Sequence, residues 1–143
     1  MNVQGSRIDG EMLRAGAEPA TLLVVDDQAL TAEYMVIIAQ DLGWAAAAAS
    51  TAGEVEAQLS AAHPGTIALD LDMPGRDGVE FLRYLSDNEY AGSVLIISAC
   101  DERVVETSAR LGEQLGLNIA GYAQKPLTED QFAALLNQTV SRH

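Results

Sequence analysis

Apolar residues in this chain come in short runs separated by polar punctuation, and the spacing within the runs alternates between two patterns. Leu22-Leu23-Val24-Val25 is wholly apolar, as a strand covered on both faces should be, and it stops at Asp26-Asp27. Leu30, Tyr34, Ile37, Ile38 and Leu42 then recur at helical spacing up to Gly43, a natural helix stop. Trp44–Ala49 is nearly all alanine, a poor strand former, yet its place before the cap-like Ser50-Thr51 predicts a second strand. Val55, Leu59 and Ala62 predict a helix ended by His63-Pro64-Gly65. Ile67-Ala68-Leu69 stops at Asp70, a Gly- and Asp-rich loop follows, and Val79, Leu82 and Leu85 mark a third helix. Val94-Leu95-Ile96-Ile97 is the clearest strand, and a helix carrying Val104, Leu111 and Leu115 leads to a fifth near Ile119–Ala123. Thr128-Glu129-Asp130-Gln131 is a capping box in sequence, opening a helix that buries Phe132, Leu135, Leu136 and Val140.

Five short strands alternating with five helices predict a doubly wound α/β domain, a parallel sheet with helices on both faces. Its 143 residues fit one such domain. Residues 1–20 are polar, glycine-containing and aperiodic; they read as a flexible leader, with a short helix around Glu11–Ala15, before a folded domain at 21–143. The formal charge of −13 weighs against direct binding to nucleic acid or anionic membranes, and no Lys/Arg cluster reverses it locally. Cys100 is the single cysteine, which excludes an intrachain disulfide and paired-cysteine zinc sites and fits a reducing compartment. No apolar run approaches the roughly 20 residues of a membrane span, and no signal pattern opens the chain. A soluble, cytoplasmic protein is expected.

Ligands of such folds sit at the carboxyl ends of the strands. The polar residues predicted there are Asp26 and Asp27 after the first strand, Asp70 after the third, Ser98 after the fourth and Lys125 after the fifth. Three carboxylates on one rim cannot all stay ionised without a cation or a proton. A hard, oxygen-seeking Mg²⁺ resolves that repulsion and leaves room for a phosphate oxygen. One carboxylate could then act as nucleophile toward phosphorus, with Lys125 and Ser98 meeting the other oxygens. Lys125 is the chain's only lysine among eight basic residues, and a compact ammonium suits phosphate as a point charge.

In order along the chain, these residues resemble the response-regulator receiver domains of two-component signalling, the CheY-like superfamily. Leu22–Asp27 is similar to that family's first strand and acidic pair, and Asp70-Leu71-Asp72-Met73-Pro74-Gly75 with Asp77-Gly78 to its phosphorylation loop. Val94 through Ser98-Ala99 resembles the switch strand, and Tyr122–Leu127 the lysine–proline strand end, the likeness spanning about Thr21 to Val140. It implies a flavodoxin-like sheet in the order 2-1-3-4-5. It also implies Asp70 as phosphoacceptor; Mg²⁺ held by Asp26, Asp27, Asp70 and the Asp72 carbonyl; and Lys125, Ser98 and Tyr122 as phosphoryl-contacting and switch residues. A cis Lys125–Pro126 bond follows from the same likeness. The implied partners are a sensor histidine kinase or phosphotransfer protein, with an output domain, target or second copy on the face from the fourth helix to the fifth.

Ser98 to Lys125 is 27 positions, longer than that family usually shows by about one helical turn, with the extra length in Arg110–Asn118. This region resembles receivers that precede EAL-type cyclic-di-GMP phosphodiesterase domains; the receiver itself is then a signalling domain and not an enzyme. Plainer readings stand beside these. Asp26-Asp27 could cap a helix, Asp72 and Asp77 could form turns, Ser98 could be an ordinary strand-end hydroxyl, and Tyr122 a packing aromatic. Asp70-Leu71-Asp72 after an apolar strand also resembles the first motif of haloacid-dehalogenase-type phosphatases, though there the second acidic pair follows the lysine. A pseudo-receiver that docks without phosphorylation is the third class, and it lacks the expected loss of any phosphorylation residue.

Overall fold

A computed structural model describes residues 20–73 and 76–141. Strands β1 (Thr21–Val25), β2 (Ala45–Ala49), β3 (Thr66–Leu69), β4 (Ser93–Ser98) and β5 (Asn118–Gln124) form one parallel sheet in the order 2-1-3-4-5. Helices α1 (Ala29–Asp41), α2 (Ala52–Ala62), α3 (Gly78–Asp87) and α4 (Glu102–Gln114) connect them, and α5 (Glu129–Ser141) follows the last strand. The expected class, order and element count are all present. The predicted leader falls outside the described residues except for Ala20, as do Pro74 and Gly75 and the side chain of Val140.

Alternation within the strands divides the core in two. Leu23, Val25, Ile67, Leu69, Val94 and Ile96 face one layer with Phe81, Leu82 and Leu85 of α3, Val105 and Ala109 of α4, and Val55 of α2. Leu22, Val24, Ala68, Leu95 and Ile97 face the other, with Met35, Ile38 and Ala39 of α1 and Phe132 and Leu136 of α5. Burial on both faces is why these strands read as unbroken apolar runs. The alanine strand forms because its backbone pairs with β1 from Ala45 to Ala49, which overrides weak propensity at a sheet edge. The capping box at α5 is reciprocal: Gln131 N–H donates to Thr128 Oγ1 at 3.1 Å, and Thr128 N–H donates to Gln131 Oε1 at 2.9 Å.

Helical spacing locates α1, but of its large apolar residues named above only Ile38 faces the sheet. Leu30 is 83% exposed, and Tyr34, Ile37 and Leu42 are also exposed, while Ala32, Met35, Ile38 and Ala39 face the sheet. Small residues at Ala32 and Ala39 let the helix lie close to the strands, turning the bulky stripe toward solvent. Val79 of α3 and Val104 of α4 are likewise exposed, one position from the buried face. The loop after Asp70 contains a short antiparallel pairing of Asp72–Met73 with Arg76–Asp77, too brief to show as periodicity.

Gly78, the first residue of α3, packs directly against the residue that follows Asp70. A Cβ there would lie 2.9 Å from the Leu71 Cα and would meet the Leu71 side chain. Gly78→Ala is expected to destabilise the domain by about 1–3 kcal/mol through overpacking. Urea unfolding measures this; a variant as stable as the parent would show that the loop yields freely.

Candidate functional site

The sheet brings four predicted residues to its carboxyl edge. Backbone pairing continues one residue past β1 and β3, with Asp26 N–H donating to Ala49 O at 3.1 Å and Asp70 N–H to Val25 O at 2.9 Å. Both side chains thereby emerge at the rim, Asp26 and Asp70 buried and Asp27 exposed. Oxygens of Asp26, Asp27 and Asp70 all lie within 4.8 Å of one another. Lys125 N–H donates to Ser98 O at 2.8 Å, so β5 delivers its lysine to the same edge. Its ammonium donates to Asp26 Oδ2 at 2.6 Å and to Asp70 Oδ2 at 3.3 Å.

The remaining carboxylate oxygens are held locally. Asp26 Oδ1 accepts from Gln28 N–H at 2.9 Å, and Asp70 Oδ1 accepts from Asp72 N–H at 3.0 Å. Each is a turn in which an aspartate bonds the backbone two residues on. Burial pushes the Asp70 carboxyl above its ordinary value and the charge of Asp26 adds to this, with the Asp72 N–H and Lys125 opposing. Burial would lower the Lys125 ammonium, but its Asp26 hydrogen bond and the nearby carboxylates outweigh it, so it is raised and stays charged.

The donor set at this rim is all oxygen, and three carboxylates face one ammonium. That excess of negative charge and hard donors suits a small divalent cation such as Mg²⁺ better than a soft metal. Asp26, Asp27 and Asp70 could hold one. Asp72 is exposed and pairs with Asp77 across the short hairpin, its N–H already used by Asp70.

The two switch positions sit apart from the carboxylates. Ser98 is fully buried at the end of β4, and its Oγ accepts from Cys100 N–H at 3.2 Å. Tyr122 points outward, 42% exposed, its hydroxyl donating to Glu106 Oε2 of α4 at 3.4 Å. Lys125–Pro126 is cis. Three residues the sequence reading passed over take part: Gln28, whose N–H serves Asp26; Glu106, the partner of Tyr122; and Gln124, whose side chain reaches Cys100 O at 3.0 Å. The first sits where a turn after Asp26 requires an N–H donor, a legible signal. The other two depend on contacts across 16 and 24 positions, which no local pattern announces.

Beside the rim, α1 and α5 enclose an apolar groove of about 540 Å³, lined by Leu30, Tyr34, Met35, Leu127 and Phe132 and ending at Lys125.

Because its carboxyl is raised on folding, Asp70 favours the folded state when protonated, and that contribution is lost as pH rises through its folded value. The thermal midpoint of Asp70→Asn, measured without divalent cations, is therefore expected to exceed the parent's by a gap that opens as pH rises above about 4, the ordinary aspartate value. A pH-independent gap would show that burial of the Asp70 charge is not what strains the site.

Residues 22–137 match the family model described as the response regulator receiver domain. The transcriptional regulatory protein BasR of Escherichia coli K12 is 30% identical over 122 residues, 85% of this chain and 53% of that protein. The cyclic di-GMP phosphodiesterase RocR of Pseudomonas aeruginosa is 34% identical over 83 residues, 58% of this chain and 21% of that protein. The chain thus spans about half the length of the first relative and about a fifth of the second. Among solved structures, a response regulator from Colwellia psychrerythraea superposes with a TM-score of 0.73 at 26% identity, covering 88% of this chain and all of the other.

Proposed function

The chain belongs to the response regulator receiver domain family of two-component signalling, and on that premise we propose that Asp70 accepts a phosphoryl group, Mg²⁺-dependently, from a histidine kinase or phosphotransfer protein. The observation that carries this reading is the convergence of Asp26, Asp27 and Asp70 on one rim with Lys125 bonded to two of them. A carboxylate oxygen of Asp70 attacks phosphorus; the new O–P bond forms as the donor's P–N bond breaks, and the donor imidazole leaves with the electron pair. Asp26 and Asp27 supply the further carboxylates that would hold the cation, which offsets charge on the transferring oxygens. Lys125, weakly engaged with Asp70 at 3.3 Å, is placed to pass to a phosphoryl oxygen while keeping its shorter bond to Asp26.

Phosphoryl transfer depends mainly on positioning and on countercharge, and both are supported here by backbone-anchored side chains. The exposed residues Leu30, Tyr34 and Ile37 offer the phosphodonor an apolar surface on α1, and Leu30 and Tyr34 also line the groove that ends at Lys125. In the phosphorylated state Ser98 turns toward the new group and Tyr122 moves inward, shifting a two-state equilibrium of the α4–β5–α5 face toward an output domain, a target or a second copy. RocR's name makes a cyclic-di-GMP phosphodiesterase one candidate output. The receiver acts as a signalling domain in the cytoplasm, where such kinases present phosphohistidine.

Intact mass after incubation with Mg²⁺ and acetyl phosphate tests the central claim. One base-labile phosphoryl adduct is expected on the parent, absent from Asp70→Asn and from a magnesium-free control. Full labelling of the variant would move the acceptor elsewhere, and steady hydrolysis of phosphomonoesters would favour the phosphatase reading. Lys125→Ala is expected to label slowly while the Tyr122 environment, read by fluorotyrosine NMR, stays at rest; a normal inward shift in that variant would remove Lys125 from the coupling.

A further inference from the structure

Both backbone groups of Cys100, in the connection between β4 and α4, are taken by side chains. Its N–H donates to Ser98 Oγ at 3.2 Å, and its carbonyl accepts from Gln124 Nε2 at 3.0 Å. Gln124 pairs with Ser98 across the last rung of the sheet, immediately before Lys125, so its position is fixed by strands and not by a loop. Its side chain is exposed, so packing does not account for the contact. We propose that Gln124 is a positioning residue for the phosphoryl-driven switch: its amide holds the Cys100 carbonyl, and with it the β4–α4 connection, in the arrangement that keeps the Ser98 hydroxyl on Cys100 N–H.

This inference rests on the receiver reading above. For Ser98 to serve a phosphoryl oxygen on Asp70, its Oγ must rotate away from Cys100 N–H. Cys100 is half-buried, and a backbone N–H there is costly to leave without a partner. The segment reorients to satisfy it, and the Cys100 carbonyl then leaves the Gln124 amide. A bond made in only one of two states biases their equilibrium by its own strength. Gln124 therefore stabilises the resting arrangement alone and raises the threshold for switching without touching the phosphoryl group. Tyr122 and Glu106 form a separate tie between β5 and α4 that does not involve the Gln124 amide.

Beryllofluoride with Mg²⁺, titrated into the full chain and followed by the amide NMR signals of Ser98 and Cys100, tests this. Gln124→Met keeps side-chain length and removes the donor; Gln124→Ala removes both. Each is expected to reach half-saturation at about threefold lower beryllofluoride than the parent, the scale of one modest hydrogen bond. A merely structural contact would lower the melting temperature without tightening the ligand. Unchanged or weaker binding in both variants, with the parent responding, overturns the role of Gln124 and leaves the receiver reading intact. A parent that gives no response sinks both.

Discussion

Lys125 bonds two aspartates that lie 99 and 55 positions away from it in sequence, at 2.6 and 3.3 Å, and the functional end of the molecule is organised around that triangle. Two buried carboxylates side by side are unfavourable, because each loses water and each repels the other. The ammonium offsets both costs only while three strands stay in register. Val25 O, Ala49 O and Ser98 O receive the N–H groups of Asp70, Asp26 and Lys125, so the rungs that complete the sheet also set the charged triangle. Fold and site share the same hydrogen bonds.

A site of this kind carries strain by design. Asp70 sits where burial resists its ionisation, whereas the proposed nucleophilic role would need the ionised form. The counterweights are a backbone N–H on one oxygen and Lys125 on the other, with Asp27 left exposed at the same rim. An added divalent cation would lower the repulsion that remains. With all three carboxylates charged the rim repels itself, so a bound cation would favour the conformation that gathers them.

Three polar contacts tie β4 and β5 to α4 and to the loop before it. Ser98 is buried and occupied by its own loop, Tyr122 is turned out toward Glu106, and Gln124 spans from β5 to the β4–α4 connection. Each contact joins an element carrying a rim residue to α4 or to the loop that opens it. Lys125 ends the strand β5 that also carries Tyr122 and Gln124, so the charged rim and the contacts to α4 and its preceding loop share one strand.

The sequence by itself determined the alternation of five strands and five helices, the rim residues at the strand ends, the capping box at Thr128 and the excess of acid. These are local: a run, a period or a stop signal is complete within a few residues. It also carried the ordered set of motifs that identifies the family. Tertiary structure alone decided which face of α1 is buried, because Leu30, Tyr34 and Ile37 keep helical period whether they point inward or outward, and only the close seat of Ala32 and Ala39 on the sheet turns them out. It likewise decided that Lys125 binds Asp26 more closely than Asp70, and that Gln124 and Glu106 meet Cys100 and Tyr122. Those pairings arise from parallel strands brought side by side by long crossovers, and a linear pattern holds no record of which distant residues such crossovers will place within hydrogen-bond reach.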